Sequence, residues 1–166
     1  MYFQYMASNA PFRDQEDTNL ISVRMRDAEA LGYKLPDWCT PDFYTHEHNK
    51  NQRIWLKKDE SNNATFKVHS FDRDDADILE GTEKTYFASL KWIDTEEKAE
   101  ALIQYVKEHL ETTDEVELCF LYQGPIYTEE EIGCRIVNIN ELQAAEVKAF
   151  FDDYPNDDPR RMIIRR

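Results

Sequence analysis

The hydrophobic period changes twice within residues 84–123, and the rest of the chain must accommodate what that implies. Tyr86, Ala88, Leu90 and Trp92 alternate with Phe87, Ser89 and Lys91, the two-residue period of a strand with one buried face. Ala99, Leu102, Ile103, Val106 and Leu110 then recur at three and four, which sets them on one stripe of an amphipathic helix. Asp94 or Thr95 can cap its first free amides, and Glu96 and Glu97 stand where the helix dipole favours negative charge. Thr112–Asp114 break the stripe, and Val116, Leu118, Phe120 and Tyr122 resume alternation. A strand–helix–strand unit of this kind predicts a right-handed crossover between parallel strands. It leaves sheet edges and one sheet face for other segments to cover.

Downstream, Cys134–Ile139 reads as a short strand, and Asn140 as the cap of a second helix with Gln143 three residues on. The stripe of that helix is Ala144, Val147, Phe151 and Tyr154, and Arg160–Arg165 reads as a final strand. From residue 84 the order is therefore βαββαβ. That order resembles the ferredoxin-like arrangement, an antiparallel sheet with two helices on one face. Such a resemblance implies a fold and no function. Phe87, Ile93 and Leu121 are expected on the face away from the helices.

Upstream, Leu20, Val23, Ala28 and Leu31 predict a helix over 18–31, which Gly32 would end in the left-handed conformation. Residues 52–58 and 65–71 flank a turn-rich segment and read as a β-hairpin. Residues 2–4 and 8–10 resemble pieces of a cleavable expression tag. The expected organisation is thus a disordered or partly non-native segment over 1–17, followed by one α+β domain over 18–166. Within that domain, 18–83 form a helix-plus-hairpin extension and 84–166 the ferredoxin-like part.

The net charge of −14, from 34 acidic and 20 basic side chains, opposes nucleic acid and anionic membranes, whose binding relies on cations. Four glycines argue against a phosphate-cradling loop. Three scattered cysteines make no disulfide framework. No apolar run approaches the roughly 18 residues of a membrane helix, so the chain reads as a soluble cytoplasmic protein without a cofactor.

Three constellations were candidates for chemistry. Cys39, His46 and His48 could contribute to a zinc site, but their spacing is not a recurrent zinc pattern. Asp72, Asp74, Asp75 and Asp77 resemble a calcium loop, yet Asp77 stands where the sharp turn needs glycine. Cys119 or Cys134 could pair with His69 or His109, though nothing in the sequence joins them. His109 is expected to be cationic, favoured by the end of its helix. No nucleophile elbow or kinase signature occurs, so an enzyme is the less favoured class. A base-stacking sheet has only Phe87 well placed on its open face and only the 160–166 tail, at +4, as a positive patch.

The class that remains is regulatory or inhibitory binding to a basic protein, as in immunity, anti-nuclease or anti-defence proteins, by comparison of charge and size only. The expected contact residues are Asp72, Asp74, Asp75 and Asp77 in one acidic stretch. The others are Ile126, Tyr127, Glu129, Glu130 and Glu131 in another. The alternative is an enzyme or small-molecule-binding domain with a site between the N-terminal segment and the sheet, around His46, His48 and Trp55.

Overall fold

The computed structural model describes residues 2–47, 49, 51–72, 82–122, 132–152 and 159–166. The chain divides into two compact units, one of residues 1–16 with 63–166 and the other of residues 17–62.

The larger unit is α+β. Among its described residues, six strands form one sheet: β1 (Tyr2–Ser8), β4 (Lys67–Phe71), β5 (Tyr86–Lys91), β6 (Glu115–Tyr122), β7 (Gly133–Asn138) and β8 (Arg160–Arg165). Their spatial order is β4-β5-β1-β6-β8-β7, antiparallel except for the parallel pair β7–β8. Helices α3 (Glu96–His109) and α4 (Ala144–Asp152) share a core with one face of the sheet. That core includes Met6, Ala88, Leu90, Leu118 and Ile164 from alternate strand positions and Ala99, Leu102, Val106, Val147 and Phe151 from the helices. Two helices on one sheet face are thus as expected.

The strand order is not ferredoxin-like. β1 lies between β5 and β6 and pairs antiparallel with both. The first two strands of the βαββαβ run are parallel but do not touch, and α3 crosses over a strand from far upstream. Residues 2–8, expected to lie outside the fold, form this central strand. Tyr5, Met6 and Ala7 are all buried, because a strand covered on both faces shows a run of apolar residues rather than alternation. That pattern is easily mistaken for none.

The opposite sheet face buries Tyr5, Ala7, Phe87, Cys119 and Leu121, with Phe3 and Phe71 packed against them. Phe87 and Leu121 are therefore where the alternation placed them. Ile93 is not; it belongs to the helix-side core. The cause is Trp92, whose φ of 42° turns the chain at the end of β5 and ends the two-residue period.

Thr95 is the N-cap of α3, accepting from the Lys98 amide at 3.2 Å. The start of α4 differs from expectation. Asn140 does not cap it; the Asn140 amide instead donates to Asn138 Oδ1 at 2.8 Å, and the helix begins at Ala144. Glu146 reaches back to the Gln143 amide at 3.2 Å, which is the acidic half of a capping box.

The smaller unit holds β2 (Leu20–Arg24), α1 (Met25–Ala28), α2 (Pro41–Thr45) and β3 (Arg53–Lys57), with β2 and β3 paired antiparallel. Val23, Ala28 and Leu56 form its small core, backed by Ile21, Tyr33, Leu35 and Ile54. The helix expected over 18–31 is a strand followed by one helical turn, since Leu20–Arg24 contains Ile21 and Val23, which favour extended backbone. Gly32 does adopt the left-handed conformation, at φ 84°. The expected hairpin is also absent. Its two strands form, but β3 pairs with β2 and β4 with β5. The intervening segment instead folds around buried Asn19, whose amide donates to the carbonyls of Asp59 and Asn62 at 2.8 and 2.7 Å. Among the described residues no helix is long and apolar enough to cross a membrane.

Candidate functional site

Trp92 was expected on the buried stripe of β5. It lies instead 58% exposed on the connection to α3. It is the only non-glycine with positive φ among the described residues, a conformation that costs an L-residue about 1–2 kcal/mol. The turn is held from both sides. The amide of Ile93 donates to Oε1 of buried Gln4 at 2.9 Å. Lys98, buried on the first turn of α3, donates from Nζ to the Trp92 carbonyl at 3.2 Å and pairs with Asp94 at 2.7 Å. A large aromatic ring is thereby fixed in solvent by strained backbone, an arrangement found where surrounding structure over-determines a functional turn.

The segment that follows Trp92 is rich in acids. Asp94, Glu96, Glu97 and Glu100 are all exposed. Glu97 and Glu100, with Lys107, also line a groove of about 700 Å³ along α3, and its apolar lining includes Ala101, Ile103, Leu142 and Ala144. The arrangement can receive a cationic chain that carries an apolar anchor.

A second polar group, also missed in the sequence, lies on the opposite sheet face. Tyr5, Cys119, Arg161 and Cys134 stand in one cross-strand row over β1, β6, β8 and β7. The Tyr5 hydroxyl is hydrogen-bonded to Cys119, and burial pushes that thiol up to about 12. Arg161 donates to Cys134. Beside this row Glu117 is 4% exposed. Arg161 Nη1 lies 3.9 Å from its Oε2, which has no hydrogen-bond partner among the described residues. Burial raises the Glu117 carboxyl above the usual range, and the Arg161 charge opposes that rise. Two residues away Glu115 shifts the other way, lowered first by its hydrogen bond to Lys84 and further by Arg165 at 2.8 Å. Cys119 and Cys134 are separated by β8, roughly two strand spacings or about 9.5 Å, too far for a disulfide. The row serves packing and charge compensation inside the sheet.

Of the expected contact residues, Asp72 is exposed just beyond β4. Asp74, Asp75, Asp77, Ile126, Tyr127, Glu129, Glu130 and Glu131 lie outside the described residues. Cys39 is buried and its thiol is pushed up, first by burial and then by Glu29. His46 is exposed, and His48 lies outside the described residues. Among the described residues, no group of three or more His, Cys, Asp and Glu could hold a metal ion. His109 is not the cationic helix end that its position suggested. It is buried, stacked on Phe12 at 4.4 Å and hydrogen-bonded to Ser8 at 2.9 Å, and burial lowers its pKa. His69 faces Asp14 at 3.9 Å on the exposed edge strand, so neither histidine is placed as the base of a cysteine nucleophile.

No protein-family model, curated protein or solved structure matches this chain.

Proposed function

We propose that the protein is a recognition module that binds a basic protein partner and regulates or inhibits it, with Trp92 as the anchor of the interface. The observation that carries this reading is the exposed, strained Trp92 turn, locked by Gln4 and Lys98 and followed in the chain by the exposed acids Asp94, Glu96, Glu97 and Glu100. Tryptophans in such positions supply interface hot spots, while surrounding charge speeds encounter and selects the sign of the partner. The charge distribution supports the same reading. The smaller unit has eight acidic and seven basic side chains, so the larger one carries nearly all of the net −14. The three cysteines are free, which suits a reducing cytoplasm.

The test is capture of partners on the immobilised protein from lysate of its source organism, beside the Trp92→Ala variant. The expected result is a basic protein held by the wild type at moderate salt and released at high salt. Trp92→Ala should weaken its binding by at least about 2 kcal/mol, near 30-fold. Equal retention by both proteins would overturn Trp92 as the anchor. Retention of only a salt-labile mixture would overturn the specific partner.

A further inference from the structure

The smaller unit presents a surface of the opposite sign. The β2–β3 ribbon turns Ile21, Val23, Ile54 and Leu56 into its core, so the alternate residues form the other face. In register these are Arg24 with Arg53, Ser22 with Trp55, and Leu20 with Lys57. These six described positions hold three cations, no acid and one large aromatic ring, Trp55, at 61% exposure.

The pairing of Arg24 with Arg53 is costly, because like charges directly opposite on a ribbon repel. Neither arginine forms an ion pair with a described residue, and both are exposed. Arg53 is nevertheless held in place, donating from Nε to Ser22 Oγ at 2.9 Å and from Nη2 to the Ser22 carbonyl at 2.5 Å. Two like charges in register, one of them held in place, beside an exposed ring are unfavourable for an isolated ribbon and favourable for a bound polyanion with stackable rings. We propose that this face binds single-stranded nucleic acid, with a base stacked on Trp55 and backbone phosphates on Arg24, Arg53 and Lys57.

The span from Arg53 to Lys57 is about 13 Å at strand rise, enough for a short run of nucleotides. Averaged over the chain, the charge argues against such a ligand. The smaller unit that carries this face, however, is nearly neutral as a whole, with eight acidic and seven basic side chains. Stacking on an aromatic ring with flanking cations is the arrangement that binds single strands with little sequence preference.

The experiment is fluorescence anisotropy of a labelled short oligouridylate titrated with the full chain. Three phosphate contacts predict a salt slope near −2, hence about a 20-fold loss of affinity between about 50 and 200 mM salt. Trp55→Ala should weaken binding at least about tenfold. Arg24→Gln and Lys57→Gln, both clear of the Ser22 hydrogen bonds, should each reduce the slope by about 0.7. Circular dichroism melts confirm that each variant is folded. Absence of binding at low salt, or binding unchanged in folded Trp55→Ala, would overturn the proposal. So would equal displacement by polyglutamate of matched charge, which would make the face a general polyanion patch.

Discussion

Trp92 and Trp55 are exposed to almost the same extent, 58% and 61%, and differ in nearly everything else. Trp92 sits on a left-handed turn among carboxylates, held by side chains buried beneath it. Trp55 sits in regular strand among cations, with the neighbouring guanidinium of Arg53 held by hydrogen bonds. The same ring is thus exposed from two kinds of backbone among side chains of opposite charge, and the two proposals assign it ligands of opposite charge. The difference teaches that a net charge describes neither surface. The value of −14 is an average over a strongly acidic unit and a nearly neutral one.

The widest separation between the two sites should appear in a crossed experiment. Trp92→Ala is expected to reduce binding of the basic partner about 30-fold or more and leave oligouridylate binding unchanged. Trp55→Ala should do the reverse, with at least a tenfold loss for the oligonucleotide. Titrations of both variants against both ligands would check this. If either variant weakened both ligands equally, the two rings would belong to one surface, and the comparison would collapse.

The backbones should separate next, by about 1 kcal/mol in each direction. Glycine tolerates positive φ that alanine does not, so Trp92→Gly is expected to be more stable than Trp92→Ala. In the strand the order should invert, because glycine there loses more conformational freedom on folding. Urea unfolding of the four variants, compared within each pair, reads this directly. A Trp92→Gly variant less stable than Trp92→Ala would show that the turn relaxes when the ring is removed. It would then not be strained on the ring's behalf.

What could be seen in the sequence follows from the same physics. Helix α3 was legible because it has one buried stripe, and the period of Ala99, Leu102, Ile103 and Val106 has no competitor. Strands β5 and β6 bury residues on both faces, yet Ser89, Lys91, Glu115 and Glu117 fall at alternate positions and keep the two-residue period visible. The central strand was not, since Tyr5, Met6 and Ala7 are buried on both faces and carry no alternation. Trp92 was misassigned because the period of Tyr86, Ala88 and Leu90 runs straight into it, and nothing local announces a positive φ. The run of acids was present as Asp94, Glu96, Glu97 and Glu100, but capping and the helix dipole account for acids there equally well. Placing Arg24, Arg53 and Lys57 around the Ser22–Trp55 pair required the β2–β3 pairing. The stripe of Leu20, Val23, Ala28 and Leu31 predicts a helix over 18–31 and so hides strand partners 29 to 37 residues away.

The smallest effect concerns the scaffold that carries Trp92, and it tests whether the two sites are local. Glu117 has a raised folded-state pKa because burial disfavours its charge. Its protonated form is therefore the one that the fold favours. It costs nothing below the unfolded value, about 4.3, and stability is lost as pH rises through the folded pKa. Glu115, held down first by Lys84 and then by Arg165, runs the other way; its contribution is present above the unfolded value and lost as pH falls. Glu117→Gln should therefore melt higher than wild type at about pH 7 and converge with it near pH 4, below the unfolded value. Glu115→Gln should melt lower at neutral pH and converge with wild type only further into acid, as pH falls through the lowered folded pKa. Thermal melts across that range would show the two differences opening in opposite directions. Neither variant should alter oligouridylate or partner affinity at neutral pH, because Glu115 and Glu117 lie on β6, on neither ring's backbone. A change in either affinity without unfolding would mean that the sheet transmits charge to a tryptophan, and the sites would then have to be described as coupled.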